Sequence, residues 1–189
     1  IIIAGELIYS LPFHIPRFFR PTFLDVFSLT NTQLGDIFAV YGVVAMVSYF
    51  PGGVIADHFP PRQLMAFSLL TTALGGVYLA TFPPAAHLYF IFGYWGCTSV
   101  LLFWSAMIKQ TRSLGGEDSQ GFAFGLLDGG RGLVASLVAS AAVIILANFL
   151  VSDDQDLVMK QQSMKAVILF YTGMTIMAGC LVWFGLKDE

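Results

Sequence analysis

Residues 51–62 read Pro51-Gly52-Gly53-Val54-Ile55-Ala56-Asp57-His58-Phe59-Pro60-Pro61-Arg62 and lie between two long apolar runs. An apolar helix ends here. Gly52 and Gly53 let something pack close, Asp57 closes the run, and Pro60-Pro61 stop the helix. A proline lacks the backbone N–H and pushes the residue before it toward extended backbone. A connection this short between runs of this length points to consecutive membrane helices.

The rest of the chain has the same character. Of 189 residues, 57% are hydrophobic and 11% are charged, where a soluble domain carries about 25% charged residues. With a mean hydropathy of +0.76 the chain reads as a membrane protein. The net charge of −3 discriminates little, because acids and bases concentrate in the connections. No basic strip with interleaved aromatics suggests nucleic acid. Cys97 and Cys180 fall inside apolar runs and read as packing residues, not as a disulfide. No zinc spacing occurs and no cofactor is implied. The chain opens Ile-Ile-Ile without methionine, which fits processing or part of a longer polypeptide. Further spans follow the first run at once, so it does not read as a cleaved signal peptide.

A bilayer core takes about 20 apolar residues per helix. Six spans are expected, at approximately 1–19, 34–56, 63–82, 87–108, 122–150 and 164–186. The first carries Glu6, His14 and Arg17, with Pro12 and Pro16 as expected kinks. A polar connection is expected from there to Gln33. Thr30 and Gln33 fit a capping box, so the second helix should start near Asn31 to Leu34. The third span ends at Pro83-Pro84, Lys109 to Gln120 reads as a loop, and Asp153, Asp154 and Asp156 form an acidic turn. Lysines and arginines are spread over both sides, so the positive-inside rule does not orient the chain.

Gly53, Asp57 and Arg62 resemble the loop between the second and third helices of the major facilitator superfamily: a glycine, an aspartate four residues on, and basic residues after it. His58 stands where a basic residue is usual, and Pro60-Pro61-Arg62 replaces a Gly-Arg-Arg run. Proline then arginine after the aspartate is nearer the organic-anion and organophosphate carriers. The string Gly125-Leu126-Leu127-Asp128-Gly129-Gly130-Arg131-Gly132 is similar to the fifth helix of the organophosphate antiporters, where an asparagine and a substrate-contacting histidine fall at Asp128 and Arg131. The resemblance implies an all-α, polytopic six-helix bundle, the N-terminal half of a twelve-helix fold whose C-terminal bundle is absent from this chain. It also implies a site near the midplane between the halves. It places Asp57 and the Lys109 loop in the cytoplasm and gives Gly53, Asp57 and Arg62 a gating role.

Charges inside spans cost about 2.5–3.5 kcal/mol each on insertion scales and so mark function. Asp128 and Arg131, three apart on one helix face, form either a neutralised structural pair or an anion site built on the planar guanidinium fork. Glu6 is a proton-coupling candidate; a partner role for Arg17 or Arg131 is the alternative. Arg17 reads as a headgroup contact and His14 as a hydrogen-bonded filler. Asp36 suits the dipole of a helix start. Tyr94 and Trp95 are candidates for lining a cavity, as is Trp104. Gly121, Gly125, Gly129 and Gly132 form a small-residue stripe expected to pack against another helix. Neither a phosphate loop nor a catalytic triad is present.

The expected function is therefore not enzymatic. It is secondary active transport by alternating access, by symport or antiport, of a small organic anion such as a sugar acid, carboxylate or organophosphate, driven by an ion or counter-substrate gradient, with Glu6 as the proton-coupling candidate. The expected surroundings are membrane lipid of a bacterial inner membrane and the missing six-helix half. The competing expectation is a six-helix membrane binding or assembly module without transport.

Overall fold

The computed structural model describes residues 1–149 and 157–186. The described residues form helices and no strand. Helices α1 (Ile2–Leu7), α2 (Ile15–Phe18) and α3 (Arg20–Phe27) make up the first part of the chain, with a π turn at Ser10–His14. Then come α4 (Asn31–His58), α5 (Pro61–Leu79) and α6 (Ala85–Cys97). A second π turn, Thr98–Trp104, joins α6 to α7 (Ser105–Gly115), and α8 (Gln120–Phe149) and α9 (Leu157–Gly185) close the bundle. Among the described residues, four stretches are long and apolar enough to cross a membrane: α4, the continuous run Ala85–Gly115, α8 and α9. The acidic turn expected at Asp153, Asp154 and Asp156 lies outside the described residues.

The capping box forms. Thr30 Oγ1 accepts from the Gln33 amide at 3.2 Å, and the Thr30 amide donates to Gln33 Oε1 at 2.8 Å. α4 then runs through Pro51 to His58, and Pro61 opens α5 in its first turn, where a missing N–H costs nothing. The glycine that permits close approach is Gly52: a Cβ there would meet the Leu101 carbonyl oxygen at 3.0 Å, whereas one on Gly53 meets nothing within 4 Å.

Two expectations are corrected, and the glycine stripe finds no neighbour among the described residues. The connection after the first span is not merely polar loop but contains α3, with Pro21 in its first turn. The stretch from Lys109 to Gly115 is helical, so the loop before α8 is short. The glycine stripe does not pack inside this bundle: a Cβ at Gly121, Gly125, Gly129 or Gly132 meets nothing within 4 Å. The close contact comes from Gly130, off the stripe, where a Cβ would lie 2.7 Å from Ile2.

Packing places α1 against α8 and α9, α9 against α5, and α4 against α6 and the second π turn. Leu7, Leu11, Trp95, Phe103 and Tyr171 are fully buried in a shared core. The outer faces of α4 and α8 stay open and apolar, with Val43, Met46, Phe50, Leu133, Leu137 and Ile144 exposed.

Candidate functional site

The charged cluster forms where α1 meets α8. Arg131 is eleven residues into the 30-residue α8, about 16 Å along it at 1.5 Å per residue, a little over a third of the way. Gly5 makes room for it: a Cβ there would lie 3.3 Å from Arg131 Cδ and 2.8 Å from the Met107 sulfur. The guanidinium carries Glu6 Oε2 at 3.3 Å from Nε and Asp128 Oδ1 at 3.5 Å from Nη1. Its Cζ lies 5.5 Å from the ring centroid of Tyr9. The two carboxylates differ: the Glu6 side chain is 12% exposed and the Asp128 side chain 74%. Both contacts are long beside the 2.7–2.9 Å usual for charge-assisted N–H···O bonds. Arg131 Nε lies within ion-pair reach of Glu6 but outside hydrogen-bond geometry. The fork is thus held in place without being saturated.

Glu6 has a second partner. His14 Nε2 lies 2.9 Å from Glu6 Oε1, and the His14 side chain is 7% exposed. Eight residues of ideal α-helix turn through about 800°, which would leave residue 14 some 80° off the Glu6 face. The π turn at Ser10–His14 takes up an extra residue and brings the imidazole back over the carboxylate.

Aromatic rings continue the site. Tyr9 packs edge-on to Trp104 at 6.4 Å, and Phe13 stacks on Phe38 at 5.7 Å and meets Tyr41 at 4.8 Å. Trp104 donates to the Tyr49 hydroxyl at 3.0 Å. The wall therefore draws on the first π turn and the residue before it, on α4 and on the second π turn. Tyr94 and Trp95 are placed elsewhere. Trp95 is fully buried, its indole donating to the Thr72 carbonyl at 3.0 Å, and Tyr94 is exposed and donates to the Thr71 carbonyl at 2.6 Å. The structure brings neither to Arg131. The aromatic that reaches the arginine is Tyr9, which the sequence does not single out, although its position three residues after Glu6 is the one available signal.

The expected gating residues sit at the α4–α5 turn. Asp57 is exposed, and with Tyr49, Gly53, Lys109 and Arg112 it lines a cavity of about 320 Å³ beside Trp104. Lys109 Nζ donates to the Ala56 carbonyl at 2.7 Å, so a cation closes the C-terminal end of α4. Arg62 stacks over the Trp183 ring at 5.4 Å, tying α5 to α9. At the opposite end Lys160 pairs with Asp25 at 2.6 Å. The described residues hold no cluster of metal-ligating side chains.

The family model of the Major Facilitator Superfamily matches residues 2–189. Among curated proteins the chain is similar to "Inner membrane protein YihN" of Escherichia coli K12, 34% identical over 99% of this chain and 42% of that protein. It is also similar to "Inner membrane protein YqcE" of the same strain, 32% identical over 85% of this chain and 36% of that protein. An "Uncharacterized protein MG294 homolog" of Mycoplasma pneumoniae is 24% identical over 69% of this chain and 29% of that protein. The chain thus spans about two fifths of the length of the first two relatives. No solved structure gives a significant match.

Proposed function

The chain belongs to the Major Facilitator Superfamily, and from that premise we propose that it is the anion-binding half of a secondary active transporter that moves a small organic anion by alternating access. It is a multi-pass bacterial inner membrane protein with an all-helical fold. The observation that carries the reading is Arg131: a guanidinium three turns inside an apolar helix long enough to cross a membrane, held by two long carboxylate contacts and backed by the Tyr9 ring. An arginine kept at this depth needs a charge partner. Here the fork keeps capacity for a carboxylate or phosphate, whose two oxygens match its geometry.

In this reading Arg131 binds the anion, Asp128 tunes it, and Tyr9, Trp104 and Phe13 supply the apolar wall. Asp57, Gly53 and Arg62 belong to the latch at the cytoplasmic end, where Lys109 already bridges α4 and α7. The second six-helix half seats on the open faces of α4 and α8, including the glycine stripe that lacks a neighbour here.

The test is counterflow uptake by the full-length protein in liposomes, across a panel of glucuronate, glycerol 3-phosphate, succinate and galactose. One anion should be taken up saturably, and Arg131→Ala should lower that uptake at least about a hundredfold, as loss of a buried charge-assisted contact of 3 kcal/mol or more would. The variant should insert and melt as a folded protein. Normal uptake by Arg131→Ala, or uptake of galactose alone, removes the assignment. A full panel without any uptake favours a membrane module without transport.

A further inference from the structure

We propose that His14, through its bond to Glu6, is the site that takes up the coupling proton, and that anion binding at Arg131 is what charges it. The inference rests on the anion-carrier reading above. Its basis is a three-member chain, Arg131–Glu6–His14, in which one carboxylate is shared by a guanidinium at 3.3 Å and an imidazole at 2.9 Å. In the empty state of this proposal Arg131 balances Glu6, and His14 is neutral and donates its Nε2–H to Glu6. His14 Nδ1 is buried with no hydrogen-bond partner among the described residues. That lone pair is the open proton position.

An entering anion competes with Glu6 for the guanidinium. When it engages the fork, Glu6 keeps its negative charge in a site from which water is largely excluded, with His14 as its remaining close partner. The dyad then regains neutrality by binding one proton from solvent at His14 Nδ1, which leaves an imidazolium beside the Glu6 carboxylate. Anion and proton arrive together, and the loaded site carries the net charge of the empty one when the anion is monovalent. On the release side the sequence reverses: the anion leaves, Arg131 returns to Glu6, and the proton is expelled.

Among the described residues, none is placed to accept from His14 Nδ1. The Tyr171 ring of α9 stands edge-on at 5.6 Å, and its hydroxyl is also buried without a partner among the described residues. On its own segment, Phe18 lies 5.3 Å away, and the Arg17 guanidinium sits over that ring. Asp128 and Tyr9 face Arg131. Ser10 and Thr175, the hydroxyls below, are spent on the Leu7 and Tyr171 carbonyls.

Two measurements on the full-length protein test this. The first needs no substrate. With ¹⁵N-histidine labelling and His14→Gln to assign the signal, wild type at pH 7.5 should show a neutral His14, and Arg131→Gln should show His14 as the imidazolium. Identical protonation in both overturns the proposal. The second uses the anion of the panel that gives counterflow. A gradient of one pH unit, coupled one to one with a monovalent anion, sustains about tenfold accumulation. The ratio of accumulation with and without the gradient should be near ten in wild type and near one in His14→Gln, whose amide keeps a donor for Glu6 but binds no proton. A ratio near ten in His14→Gln overturns the proposal. Wild type with saturable counterflow and a ratio of one also overturns it while leaving the anion-carrier reading standing. Loss of counterflow for every anion in wild type brings down both.

Discussion

The two π turns of the bundle are built from the same backbone deviation and are treated oppositely. Tyr41 links them: its ring packs on Phe13 of the first, and its hydroxyl reaches Ser99 of the second at 2.7 Å. The second turn, Thr98–Trp104, is stitched shut. Ser68 donates to the Thr98 carbonyl at 2.7 Å, Thr72 and Thr98 share a hydroxyl contact at 2.7 Å, and Ser99 donates to the Trp95 carbonyl at 2.6 Å. The first turn, Ser10–His14, satisfies the Leu7 carbonyl but leaves His14 Nδ1 and the neighbouring Tyr171 hydroxyl open. Polar groups that are fully paired rigidify a core, whereas an unpaired one is costly. A cost retained next to an ion-pair chain marks the first turn as the working element and the second as its frame.

Breaking the frame should have the largest effect on stability. A Cβ at Gly96 would lie 2.6 Å from the Tyr41 carbonyl oxygen, a backbone atom that moves only if α4 and α6 separate. Gly96→Ala should therefore cost about 2–3 kcal/mol, the range of overpacked cores, read as a lowered melting temperature of the detergent-solubilised full-length protein. A variant that melts like wild type would show the helices to be loosely held. Ser68→Ala is milder. It removes the hydroxyl that serves the Thr98 carbonyl, at about 1–2 kcal/mol, and should lower the melting temperature while saturable uptake continues. If it instead altered the proton dependence of uptake, the division between frame and working turn would not hold.

The contrast also explains what could be seen in the sequence. The Thr30–Gln33 box and the Pro60-Pro61 stop were legible because each is local: the residues that make the signal also make the bonds. The charges were legible because they stand out in apolar runs, and Glu6, Asp128 and Arg131 do meet. The π turns were not legible. The hydroxyls at the second come from residues 26 to 58 positions away and the one beside Ser10 in the first, Thr175, from 165 away, so a reading at 3.6 residues per turn places His14 off the Glu6 face and leaves it a filler. Helix α3 was hidden because it is short, although Pro21 is an ordinary start signal. The glycine stripe shows a third limit. Periodicity finds a face, but not what covers it, and the glycine in contact here, Gly130, is off that face.

The smallest expected effect sharpens the comparison most, because it separates the two carboxylates on Arg131. By sequence alone Asp128 is the obvious partner, three residues from the arginine on the same helix. In the structure it is the exposed one, 74% open at 3.5 Å, while Glu6 is enclosed and shared with His14. An exposed pair is worth about 0–1 kcal/mol, so Asp128→Asn should change the half-saturation concentration for the transported anion by no more than about fivefold. The direction should be toward tighter binding, since a negative charge beside the fork is removed and the asparagine keeps the shape. The pH dependence of accumulation should stay where it is in wild type, because His14 and Glu6 are untouched. Concentration curves of counterflow at two pH values read both quantities. A hundredfold loss in Asp128→Asn, matching Arg131→Ala, would mean that the exposed carboxylate holds the guanidinium and that Glu6 is the bystander.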